Sequence, residues 1–197
     1  MAAEVKEKGI APAQFTPEKE VNMYEKYGKM ESLAAINAKA EELFNAGDVD
    51  GLRTLAAENS IPADYADLYL EGETPEFVDI QMFAEGRIRT EAEDLGVEEL
   101  LEDWAEYVIV LIEDSAEFAE KVIKNGRTLI GCIGELCAYG IMHAEQAPAE
   151  VCQAINRTVT EEQLKKLHME RRHIQYTKIG MPGMGTAKRI IRQYFGG

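Results

Sequence analysis

Between Leu129 and Met142 the chain reads LIGCIGELCAYGIM, a run in which Glu135 is the only charged residue. A helix that is apolar on every side belongs inside a protein. The run is also shorter than the roughly 20 residues that cross a bilayer. It therefore predicts a buried central helix around which the other segments pack. Gly131, Gly134 and Ala138 recur three and four positions apart, and so define one stripe where a second helix is expected to approach closely. Each of the glycines at 131, 134 and 140 costs about 1 kcal/mol relative to alanine in a helix, so tertiary packing has to offset them.

Helix signals recur along the rest of the chain. Residues 1–21 show no period and contain two prolines, which predicts a flexible arm. Ser32 and Asp48 are good N-caps for apolar-periodic segments, with Gly47 and Gly72 as stops and Pro62 opening a third segment. Together these predict an N-terminal helical subdomain over 22–73. Thr74-Pro75 opens a further segment running to Gly96, with Phe77, Ile80, Phe83 and Ile88 inward. A helix over Val97–Asp114 follows, with Val97, Leu100, Leu101, Trp104, Val108, Leu111 and Ile112 in one stripe. Ser115, Pro148 and Thr160 start shorter helices. Only 173–179 reads as a possible strand. The closing helix turns Ile190, Ile191 and Tyr194 inward, and Lys188, Arg189 and Arg192 outward. The fold class is mainly α: a helical bundle around a buried central helix, with at most a short β element near the C-terminus. Residues 74–197 form its C-terminal helical domain with a basic tail.

Charge narrows the function. The net charge is −15, and it is polarised: residues 1–120 hold 30 acids against 9 bases, and residues 121–197 hold 6 against 12. Glu58–Glu120 alone carries 20 acids against Arg87 and Arg89. Such a field opposes nucleic-acid binding there and favours a basic partner. Glu98, Glu99, Glu102, Asp103 and Glu106 crowd the face opposite the apolar stripe, with Glu91 and Asp94 just before them. No lysine interleaves, so like charges one turn apart cost a few tenths of a kcal/mol each. These seven acids are the expected partner-binding surface. The basic end, through Lys165, Lys166, Arg171, Arg172, Lys178, Lys188, Arg189 and Arg192, is the alternative: a nucleic-acid contact.

Chemistry is harder to find. Gly180–Lys188 (GMPGMGTAK) suggests a phosphate loop, but Thr-Ala separates Gly185 from Lys188 and a polar run precedes it, so a turn is favoured. Cys132, Cys137 and Cys152 form no C-x-x-C pair, which favours buried thiols over a metal site. His168 and His173 lie among lysines and arginines. No nucleophile–base set emerges. The expectation is a non-enzyme without cofactor or metal, located in the cytoplasm with no membrane attachment, and open to self-association.

Three stretches carry a resemblance: AGDVDGLRTLAAENSIPADYADLYLEG, EAEDLGVEELLEDW, and the span from KNGRTLIGC to IGMPG…AKRIIRQYFGG. Together they resemble a family of small acidic proteins from phages and mobile elements of Gram-positive gut bacteria, some of which are anti-CRISPR proteins that inhibit Cas9. The resemblance covers most of 24–197. It implies a protein that binds Cas9 or its guide-RNA complex and blocks target DNA engagement or cleavage. The alternative reading is a nucleic-acid-binding accessory or regulatory protein of such an element, acting through the basic residues above.

Overall fold

The computed structural model describes residues 26–124 and 126–196; the arm expected at 1–21 lies outside them. The fold is mainly α, with one two-stranded antiparallel sheet among the described residues. Side-chain caps set several of the helix starts. Ser32 Oγ accepts the Ala35 N–H at 3.1 Å to start α1 (Leu33–Ala46). Asp48 accepts the Gly51 N–H at 2.8 Å to start α2 (Val49–Glu58). Pro62 precedes α3 (Ala63–Glu71). The next helix, α4 (Ile80–Leu95), starts later than Thr74-Pro75 suggests. The Asn37 carboxamide grips both sides of Val78, donating to its carbonyl at 2.9 Å and accepting its N–H at 3.0 Å. That grip satisfies the Val78 backbone without a helical turn, and Asp79 then caps Met82 at 2.8 Å. Phe77 and Val78 are therefore buried ahead of the helix rather than on it.

The remaining helices are α5 (Leu100–Asp114), α6 (Ala116–Lys124), α7 (Leu129–Met142), α8 (Ala149–Thr158), α9 (Glu161–Lys166) and α10 (Met184–Phe195). The strand expected within 173–179 shrinks to β2 (Lys178–Ile179), which pairs with β1 (Glu145–Gln146); Arg171–Tyr176 is a 3-10 helix instead.

Apolar side chains gather in three places. Ile36, Leu52, Leu55, Phe77, Val78 and Phe83 fill the N-terminal cluster. Ile88, Trp104, Val108, Ile112, Leu129, Leu136, Ile191 and Phe195 fill the main one. The α4 helix serves both, giving Phe83 to the first and Ala84 and Ile88 to the second. A small third cluster joins Ala147, Cys152, Leu164 and Ile174.

The α7 helix is not enclosed, which corrects its expected central place. Leu129, Cys132, Leu136 and Gly140 are buried, but Ile130 is 60% exposed and Ile141 79% exposed. The α4 helix packs against α5, α6 and α7, and α5 packs against α4, α6, α7 and α10. The predicted small-residue stripe is also displaced. Gly134 faces open space, whereas Gly131 lies under the Tyr194 hydroxyl and Gly140 under the backbone of Gly180. A Cβ on Gly140 would stand 2.8 Å from the Gly180 carbonyl oxygen. A Cβ on Gly180 would collide with the Gly140 carbonyl. Two backbones cross here because neither residue carries a side chain.

Candidate functional site

The acidic residues meet at the corner where α4 gives way to α5. Gly96 ends α4 with φ 57, a left-handed cap that glycine adopts freely. Three residues later Glu99 takes φ 51 and ψ −118, immediately before α5. An L side chain in such a sparsely populated region costs on the order of 1–3 kcal/mol. Glu98 and Glu99 thus precede α5 and do not lie on its face, and Leu100 is 37% exposed rather than inward. Trp104, Ala105, Val108, Ile109 and Ile112 form the stripe that is buried.

The seven expected acids divide by environment. Glu91 does not belong to the surface. It is half-buried, accepts the Leu129 N–H at 2.5 Å and pairs with Arg87 at 2.9 Å, so it anchors the start of α7. Arg87 in turn donates to the carbonyls of Val122 and Arg127. Asp94 pairs with Lys29, and Glu106 pairs with Arg89 at 3.3 Å. Glu98, Glu99, Glu102 and Asp103 are exposed, and no ion pair engages them among the described residues. Glu93, which the periodicity did not single out, is exposed in the same way. Beside Glu93 and Glu102 lies a depression of about 220 Å³, floored by Ala92, Ala105 and Ile109 and edged by Arg89, Glu93, Glu102 and Glu106. An apolar floor with carboxylates at its edge suits a lysine or arginine, whose stem buries while its head stays polar.

The eight basic residues do not form one surface. Lys165 and Lys166 are exposed at the end of α9. Arg171 is consumed structurally: its guanidinium meets Glu161 at 2.6 Å, the Asn156 carbonyl at 2.7 Å and the Val159 carbonyl at 3.3 Å. Arg172 pairs with Glu170 at 2.6 Å, and Lys178 is exposed on β2. On α10, Lys188 lies 4.6 Å and Arg192 6.0 Å from the centre of the Tyr107 ring on α5, while Arg189 bonds Gln193 at 3.2 Å. Of the Gly180–Lys188 stretch only Gly180–Gly183 is loop, since α10 begins at Met184, and Gly180 is required by the crossing with Gly140.

The three cysteines are free thiols. Burial, and then the nearby Glu135 charge, push the Cys132 thiol up to about 12, far from a reactive thiolate. Among the described residues no group of three or more His, Cys, Asp or Glu side chains is placed to hold a metal ion, and no helix is long and apolar enough to cross a membrane. A cavity of about 450 Å³ beside Lys29, Met30, Phe83 and Arg87 has polar walls that bond one another: Arg87 to Glu91, and Thr90 to Ser60 and to the Gly86 carbonyl. Set beside protein-family models, curated proteins and solved structures, the chain matches none of them.

Proposed function

We propose that this chain is a non-catalytic inhibitor that binds Cas9, or its guide-RNA complex, and blocks target DNA engagement. It uses the acidic corner between α4 and α5. The reading is motivated by the family resemblance of its sequence, and one observation carries the choice of surface. Glu93 and Glu102 stand exposed at the edge of a depression with an apolar floor, and Glu98, Glu99 and Asp103 are exposed in the adjoining turn and first turn of α5. Cas9 holds nucleic acid in a positively charged channel and reads its adjacent motif with arginines. Exposed carboxylates can meet such arginines in place of phosphates. The strained backbone of Glu99 supports the same surface, because glycine would hold that conformation at lower cost yet an acid stands there. The protein is then expected to belong to a phage or mobile element and to act inside the bacterial host.

The test is DNA cleavage by guide-loaded Cas9, with and without the protein. It is repeated with Glu98→Lys/Glu102→Lys/Asp103→Lys, three exposed positions, with circular dichroism to establish that the variant folds. Inhibition by the native chain, lost in the variant and weakened by added salt, is the expected outcome. Undiminished cleavage at large excess of the native chain rejects the function. Equal inhibition by the folded variant rejects the surface.

A further inference from the structure

The C-terminal segment builds a groove that the acidic corner does not use. It encloses about 640 Å³ between α8 and the 3-10 helix. Ala147, Cys152 and Ile174 are buried in its floor, and Gln146, Gln153, Asn156 and Gln175 line its walls. No carboxylate lines it, in a chain with 36 acids. Two of the amides are fixed in place. Gln146 donates to the Gln175 carbonyl at 2.9 Å, and the Asn156 amide oxygen accepts from Arg171 at 3.0 Å. The Gln153 and Gln175 side chains are exposed, each with a donor and an acceptor to offer. Tyr176, another lining residue, is 67% exposed, unusual for an aromatic side chain with nothing to cover it. Arg172 lines the same groove, and its side chain is 71% exposed. Its partner Glu170 is nearly as exposed, so that pair is weak and easily exchanged. Lys178 stands opposite Gln146 in the β1–β2 ladder, which puts both side chains on one face.

We propose that this groove binds an unpaired nucleotide of a single-stranded nucleic acid. The base stacks on Tyr176, its edge meets the amides of Gln153 and Gln175, and Arg172 and Lys178 take the flanking phosphates. Base edges mix donors and acceptors in one plane, as carboxamides do, and only an unpaired base offers both its edge and its flat face. The lining holds no carboxylate, Arg171 is engaged by Glu161, and the exposed Arg172 and Lys178 supply the positive charge that a phosphate needs against the net −15 of the molecule. The inference does not rest on the Cas9 reading, since no groove residue belongs to α4 or α5.

The experiment is fluorescence anisotropy of the full chain with labelled single-stranded RNA and DNA of roughly ten nucleotides, and with a duplex. Single strands are expected to bind and the duplex far less. Tyr176→Ala should weaken binding by roughly tenfold or more, with Tyr176→Phe restoring it. Arg172→Ala should flatten the salt dependence by about one unit of slope, and Asn45→Ala on α1, an exposed neutral position, should change nothing. Circular dichroism of each variant confirms the fold, since every substituted side chain is exposed. The proposal is overturned if single strands do not bind at low salt, or if duplex binds equally. It also fails if Tyr176→Ala binds as the native chain does, or if Lys188→Ala/Arg192→Ala abolishes binding instead.

Discussion

At the scale of single residues, charge type says little until partners are known. Glu91 and Asp94 are three positions apart and both acidic, yet they do different work. Glu91 receives a backbone N–H from α7 and a guanidinium, both in partly buried surroundings. Asp94 shares an exposed pair with Lys29, its own side chain 64% exposed. Glu91→Ala should therefore lower unfolding free energy by about 1–3 kcal/mol, the cost of leaving those donors without an acceptor. Asp94→Ala should stay within about 0.5 kcal/mol. Urea denaturation with unchanged slope reads both, and a neutral Glu91→Ala would show that Arg87 alone holds the start of α7. The sequence could not separate the two acids, because the groups that distinguish them, the Leu129 N–H and Lys29, lie 38 and 65 positions away.

At the scale of elements, caps were legible and crossings were not. Ser32, Asp48, Ser115 and Thr160 each start a helix by accepting a nearby backbone N–H, a signal contained within four residues. The start of α4 was not legible, because Asn37, 41 positions before Val78, holds the preceding irregular segment. The glycines of α7 tell the same story within one helix. All three look alike in sequence, but Gly134 faces open space and Gly140 faces another backbone. Gly134→Ala should raise stability by about 0.5–1 kcal/mol through helix propensity alone. Gly140→Ala, which pushes against backbone rather than a yielding side chain, should lower it by about 1–3 kcal/mol. Thermal melts of the two variants that shift in the same direction would place the crossing with Gly180 elsewhere.

At the scale of the whole molecule, repulsion and recognition draw on the same charges. With net charge −15, added salt should stabilise the fold by screening self-repulsion. Its ion pairs are mostly exposed, so their loss offsets little. The melting temperature should then rise between about 0.05 and 0.5 M salt while binding to a basic partner weakens, an opposition seldom found in neutral proteins. A melting temperature that falls would mean that attractive pairs outweigh repulsion. The sharing of α4 between two apolar clusters has a kinetic consequence. Its central amides, Ala84–Ile88, can meet solvent hydrogen only when both clusters come apart together. Their deuterium uptake should track global unfolding and report one cooperative unit spanning α1 to α7. The amides of α8 and α9 lean on only four buried side chains, and should exchange orders of magnitude sooner by opening on their own.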